Sequence, residues 1–227
     1  MQVRNQPFHH LTISLDLAGR RAVLVGGGAV AARKAGVLRE AGMELVVVAP
    51  ELTPRLAELA AAGELSWRQR PWAPGDLAGA ALVVAATSDR EVNRQVADEA
   101  RLLGIAVNVA DRPEEGTCRF PALLRRGRLE IAVGTEGSAP AVAAAVRDHV
   151  AEAIGEEYGE LLELLAELRE KLLTLGMAKA YNTDFVKNLM AQGLMEMLRG
   201  GERAEAERMI EAALSSAVDS HASRSGS

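Results

Sequence analysis

A chain of 227 residues with 48% hydrophobic side chains can fill the core of one compact domain and a smaller partner. Its formal net charge of −5 excludes an overall basic field, so neither nucleic acid nor an anionic membrane surface is an expected partner. The single cysteine, Cys118, excludes an internal disulfide and suits a reducing compartment.

The first residues, Met1 to His10, lack the uninterrupted apolar stretch and small-residue cleavage site of a secretory signal. Apolar runs farther along are strand-sized, short of the roughly 20 residues of a membrane span. The reading is a soluble, cytoplasmic protein with no membrane partner. From Arg21 onward the pattern predicts a strand over 21–25, a helix over 29–40, a strand over 43–48 and a helix over 54–62. It continues with strands over 65–69 and 82–86, a helix over 91–103 closed by Gly104, and a strand over 105–109. Alternation of this kind builds βαβ units, so the fold class is α/β with a Rossmann-like parallel sheet in the N-terminal domain.

After Asp111 the grammar changes. Arg112-Pro113-Glu114-Glu115-Gly116 is turn chemistry, and one further strand, 129–133, is clear. Pro140 then opens a helix to about Ile154, since proline is tolerated in a first helical turn. Leu161, Leu165, Leu168 and Leu172 fall on one face of the next helix, with Glu160, Glu163, Glu167 and Glu170 turned away. Two more helices are predicted, one starting near Asn182-Thr183-Asp184 and one over 204–218, separated by Arg199-Gly200-Gly201.

The segment with the clearest chemistry is Gly26-Gly27-Gly28-Ala29-Val30-Ala31, which matches G-x-G-x-x-G/A between a strand and a helix. Gly26 permits the tight turn, Gly28 lets the backbone approach a diphosphate, and Ala31 lets helix and strand pack closely. The helix N-terminus adds free N–H groups and the positive end of its dipole. Dinucleotide binding is weighed here against a merely tight strand-to-helix turn. Glu51, just past the second strand, is a candidate ribose ligand or an ordinary loop acid, and no Arg or Lys lies between Leu45 and Pro54 to pair a 2′-phosphate, which favours NAD over NADP. Thr87, Ser88 and Asp89 lie at the carboxyl edge of the 82–86 strand, either capping the next helix or lining the cofactor cleft.

These residues resemble the precorrin-2 dehydrogenase family, the N-terminal module of sirohaem synthases, over roughly residues 8–155. The resemblance rests on Leu15-Asp16-Leu17, on Gly26 to Lys34, on Val47-Val48-Ala49-Pro50 and on Ala85-Ala86-Thr87-Ser88-Asp89 with Val92-Asn93. It continues through Val107-Asn108-Val109-Ala110-Asp111, Phe120-Pro121-Ala122 and the run from Ala132 to Pro140. It implies oxidation of precorrin-2 to sirohydrochlorin with NAD⁺, with insertion of ferrous iron or cobalt in some members. It also implies an essential aspartate at Asp111 and cofactor contacts from Gly26, Gly27, Gly28, Ala29, Val30, Pro50, Glu51 and Leu52, to which the edge residue Thr87 is added. The chain departs from the family pattern in the stretch Arg112 to Phe120, where a second acid and an Asp-Phe pair are common. It departs again at Thr135, where phospho-regulated relatives carry serine, and at Phe8-His9-His10-Leu11.

Removing a hydride and a proton from a macrocycle asks for one positioned base and no nucleophile. Asp111 suits that role, its alternative being a turn cap. Precorrin-2 is polycarboxylated, so arginines are apt partners, and Arg112, Arg119, Arg125, Arg126, Arg128 and Arg147 form the one local excess of positive charge. Arg112 and Arg119, with Ser138 from the last motif, are the candidate substrate contacts, against a solvated charged face. No metal site is expected, because Cys118, His9, His10, His149 and His221 lack ligand spacing. The expected organisation is a NAD-binding Rossmann domain over 1–112 and a small dimerisation and substrate segment over 113–155. A helical domain over 156–218 and a disordered tail over 219–227 follow, in a homodimer. The competing reading is a non-catalytic module that senses NAD(H).

Overall fold

The computed structural model describes residues 11–225. The readings placed on Phe8, His9 and His10 lie outside them, as does that on the side chain of His221. The described chain forms two compact units: one holds residues up to Phe120 together with Glu136–Ser138, and the other holds Pro121–Thr135 and the chain from Ala139 onward.

The first unit is a five-stranded parallel sheet of β1 (Arg21–Val25), β2 (Glu44–Val48), β3 (Ser66–Arg68), β4 (Leu82–Ala85) and β5 (Ala106–Val109). Its strand order is β3-β2-β1-β4-β5, with in-register pairs such as Val25↔Val48 and Val25↔Ala85. The strands are short, near-continuous apolar runs because both sheet faces are covered. Residues pointing one way, Ala22, Leu24, Leu45 and Val47 among them, bury against α1 (Ala29–Glu40) and α2 (Pro54–Ala61). Those pointing the other way, Val23, Val25, Val46 and Val83, bury against Val96, Ala97 and Ala100 of α3 (Arg90–Leu102). The predicted elements of this unit all appear, with ends displaced by a residue or so. The Rossmann-like α/β reading therefore holds. The compact unit runs on to Phe120, beyond the expected boundary at 112: Gly116 lies against Val107 and Val109 of β5, while Thr117 N and Cys118 N both donate to Val107 O.

Because the order runs outward from β1 through β2 to β3 and then restarts beside β1 at β4, the chain reverses its winding between β1 and β4. Open parallel sheets of this kind form a crevice at the carboxyl ends of the strands where the winding reverses.

The second unit contains an antiparallel hairpin of β6 (Ala122–Arg126) and β7 (Leu129–Val133), followed by α4 (Pro140–Ala153) and α5 (Glu157–Thr174). It ends with α6 (Thr183–Ala191), α7 (Leu194–Arg199) and α8 (Arg203–Ser225). The four leucines expected on one face of α5 are buried, Leu172 completely and Leu161 to 7% exposure, against Leu189, Leu194, Leu198 and Ile210 of the later helices. Asn182 caps α6 as expected, accepting from Phe185 N at 3.0 Å.

Three features differ from the sequence reading. β6 was not expected, because Arg125 and Arg126 end a run whose alternation is irregular; it forms because Gly127-Arg128 closes a two-residue turn onto β7, with Gly127 at φ 52°. α7 is a separate six-residue helix, set off from α6 by Gly193 at φ 93°. The tail expected from residue 219 is helical through Ser225, as the continuation of α8.

Candidate functional site

The glycine turn stands directly on the crevice, between the end of β1 and the start of α1. Gly26 has φ 123°, and a Cβ there would lie 2.4 Å from the Ala86 carbonyl oxygen at the end of β4. Glycine is therefore required both by the backbone and by the approach of the neighbouring strand. Gly27 is just as constrained, since a Cβ would lie 1.9 Å from the Glu51 carbonyl oxygen. Its own carbonyl accepts from Thr53 N at 2.9 Å. The Pro50–Leu52 segment is thus pinned against the turn by main-chain contacts. Ala31 is fully buried between helix and sheet.

Gly28 differs from its neighbours. Its φ of −81° is open to any residue, and a Cβ there would meet nothing within 4 Å. It is the N-cap of α1, and no side chain caps that helix end. The first turn of any α-helix leaves backbone N–H groups without intrahelical partners, and here they face open space over a glycine. This cradle fits a diphosphate, which supplies the acceptor oxygens and the negative charge that a helix N-terminus favours. Ala29 and Val30 are exposed at its rim, Val30 to 42%. Pro50 and Glu51 are exposed and Leu52 is half-buried at the adjoining end of β2.

Across the crevice, β4 leads into Thr87-Ser88-Asp89. Asp89 is the α3 cap, its Oδ1 accepting from Glu91 N at 2.9 Å and from Val92 N at 3.3 Å. Thr87 is half-buried and belongs to a different network, centred on Asn93. The Asn93 side chain is fully buried. Its Oδ1 accepts from Thr87 N at 3.0 Å and lies 2.8 Å from Thr87 Oγ1. Its Nδ2 donates to Thr87 O at 3.1 Å and to Asp111 Oδ1 at 2.9 Å. Asp111 follows β5 and is exposed, with no other hydrogen bond to its carboxylate among the described residues. Arg90, in the first turn of α3, pairs with Glu115 at 2.6 Å. That hydrogen bond chiefly raises the pKa of Arg90, and the nearby charge of Asp111 adds to it. A permanent cation therefore stands near Asp111.

The expected substrate contacts all fall in the first unit, while the other arginines of the local excess fall in the second. Arg112 and Arg119 belong to the unit that carries Asp111, and Ser138 joins it through the excursion of residues 136–138. At Gly137, with φ 81°, a Cβ would lie 3.1 Å from Pro113 and 3.3 Å from Arg119 Nε, so the excursion packs on the segment after Asp111. Arg125, Arg126, Arg128 and Arg147 belong to the second unit. Three of these are engaged there: Arg125 with Glu130 at 2.8 Å, Arg126 with the Ile154 carbonyl at 3.1 Å, and Arg147 with Asp148 at 2.8 Å. The arginine cluster of the sequence is therefore not one cluster within a single unit.

The Cys118 thiol, pushed up to about 11 by burial, is held in its neutral form. Beside it Lys34 sits 4.3 Å from the centre of the Phe120 ring, and burial lowers its pKa. Among the described residues no group of three His, Cys, Asp or Glu side chains is arranged to hold a metal ion, and no helix is long and apolar enough to cross a membrane.

Asn93 is the residue whose part in the site the sequence reading missed. It falls on the buried stripe Asn93, Val96, Ala97, Ala100 of α3, a polar residue at an apolar position. That mismatch was the available signal, because a buried amide must find partners for all its donors and acceptors.

Residues 13–122 match a family model described as "Putative NAD(P)-binding". The chain is 39% identical to the siroheme synthase of Pseudomonas entomophila over 203 residues, covering 89% of this chain and 44% of that protein. It is 38% identical to the siroheme synthase of Azotobacter vinelandii over 209 residues, covering 92% and 45% respectively. The chain thus spans less than half the length of the siroheme synthases it matches. A solved structure, "SirC, precorrin-2 dehydrogenase", superposes with a TM-score of 0.70 at 27% identity, covering 89% of this chain and all of that one. Over nearly its whole length the chain is thus similar in sequence to part of the siroheme synthases, and in fold to a precorrin-2 dehydrogenase.

Proposed function

We propose that this protein oxidises precorrin-2 to sirohydrochlorin with NAD⁺, as a step of sirohaem or cobalamin biosynthesis. The observation that carries the reading is one juxtaposition: an uncapped helix N-terminus over Gly28 and a carboxylate at Asp111 both stand at the carboxyl edge of one parallel sheet. Relatives named siroheme synthase and precorrin-2 dehydrogenase supply the substrate class.

In this reading Gly26, Gly27 and Gly28, with the N–H groups of Ala29 and Val30, hold the diphosphate. Glu51 takes the adenosine ribose, flanked by Pro50 and Leu52. No Arg or Lys stands between Leu45 and Pro54 to receive a 2′-phosphate, which favours NAD⁺ over NADP⁺. Thr87 lines the nicotinamide end. NAD⁺ supplies the hydride acceptor. The substrate loses one hydride and one proton, and Asp111 receives the proton at the carboxylate oxygen that Asn93 leaves free. Arg112 and Arg119, with Ser138, bind carboxylates of the substrate. The protein acts in the cytoplasm, in keeping with its single cysteine. It works as a homodimer, for which the exposed apolar residues Val142 and Val146 of α4 offer a contact face.

The test is direct. Pure protein with precorrin-2 and NAD⁺ should produce NADH and sirohydrochlorin in equal amounts, followed by absorbance. Absence of turnover with tight NADH binding retained would instead identify a sensor of the NAD(H) pool. Repeating the assay with Co²⁺ or Fe²⁺ decides whether metal insertion accompanies oxidation.

A further inference from the structure

We propose that Asn93 is the positioning residue of the site, orienting the Asp111 carboxylate through its amide while the other side of that amide holds the Thr87 loop. The inference rests on Asp111 being the base, as argued above.

The orientation of the amide is not ambiguous, although amide oxygen and nitrogen are otherwise easily exchanged. A backbone N–H can only donate and a backbone carbonyl can only accept. Thr87 N, 3.0 Å away, therefore faces Oδ1, and Thr87 O, 3.1 Å away, faces Nδ2. The second hydrogen of Nδ2 is thereby directed at Asp111 Oδ1, 2.9 Å away. The amide thus uses both donors and both acceptor directions, all it has to offer. With its side chain fully buried, Asn93 has no water with which to exchange any of these bonds. Asp111, by contrast, is exposed and sits beyond the end of its strand, and among the described residues its carboxylate has no other hydrogen bond. Of its two oxygens one is held and one is left for chemistry. Thr87 is secured at the same time, and its hydroxyl proton is shared between Asn93 Oδ1 and Asp89 O, each at 2.8 Å. A single buried side chain on α3 therefore ties together the loop ends of β4 and β5, the two sides of the half-crevice in which hydride and proton must leave the same substrate.

Asn93→Asp tests this nearly isosterically. The oxygen facing Thr87 N is retained, which keeps that bond to the Thr87 loop, while Nδ2, the donor to both Thr87 O and Asp111, is replaced by an acceptor. We expect kcat to fall about 100-fold, the scale of a misplaced catalytic group, while the KM for NAD⁺ and the Kd for NADH change less than about threefold (less than ~0.7 kcal/mol). The reciprocal exchange Asn93→Asp with Asp111→Asn restores an amide–carboxylate bond with its ends reversed; it should recover the melting temperature lost in Asn93→Asp without recovering kcat, since the carboxylate is then buried. Folded Asn93→Asp with kcat close to wild type would overturn the proposal, as would a loss in kcat matched by an equal loss in NADH affinity. If Asn93→Asp does not fold, Asn93→Ser is read by the same split between kcat and cofactor affinity. A wild-type protein that binds NADH but does not turn over would instead remove the dehydrogenase reading, and so is distinguishable from failure of the role of Asn93.

Discussion

Replacing Gly28 by valine separates cofactor binding from folding, because this is the one glycine of the turn whose side-chain space is empty. Its backbone, at φ −81° and ψ −174°, suits a β-branched residue, and a Cβ meets no atom within 4 Å. The folding cost is the poorer N-cap, about 1 kcal/mol, or a few degrees in melting temperature. The added methyl groups occupy the space over the helix N-terminus where a diphosphate would lie. If two charge-assisted hydrogen bonds are lost, each worth about 1.5–3 kcal/mol, the cofactor Kd rises roughly 100-fold or more. Calorimetric titration with NAD⁺ and NADH, alongside a thermal melt, reads both quantities. Gly26→Ala is the contrasting control: φ 123° and an Ala86 carbonyl 2.4 Å from the new carbon predict a loss of stability, of about 1–3 kcal/mol from backbone strain alone. A folded Gly28→Val protein that binds cofactor with wild-type affinity would show that the turn is only structural and would undo the account of the site.

Asp111→Ala should keep NADH affinity and lose turnover, measured as NADH release from precorrin-2; unchanged turnover would remove Asp111 from catalysis. Asp76 is buried beneath Arg68 and Arg70, and its hydrogen bond with Arg70 chiefly holds its carboxyl at about 2, below the ordinary value of 3.8. A depressed folded-state pKa contributes stability that is present above the unfolded value and lost as pH falls through the folded one. Wild-type protein should therefore lose stability between about pH 4 and pH 2 more steeply than Asp76→Asn in acid-unfolding curves, and identical curves would contradict this. Leu168→Ala, at a nearly fully buried position in α5, should cost about 2–5 kcal/mol in denaturant unfolding of the second unit, with cofactor affinity unaltered.

Periodicity and turn chemistry carried most of the fold. β1, α1 and the leucine face of α5 were legible because the signals that form them lie within a few residues of one another. The glycine turn was legible for the same reason, whereas the part proposed for Asp111 rests on the family resemblance. What tertiary structure decided lies in contacts between distant residues. Gly27 occupies a position that the fingerprint leaves free, yet glycine is required there because the Glu51 carbonyl, brought in by β2, fills the space. Asn93 gains its partner only when β5 places Asp111 beside α3, 18 residues on. The arginines that appear as one run are divided between two units, since the chain leaves the first at Phe120. Strand and helix identity follow from local backbone preference, whereas the partners of a loop side chain depend on which strand ends become neighbours, and that is settled only when the sheet assembles.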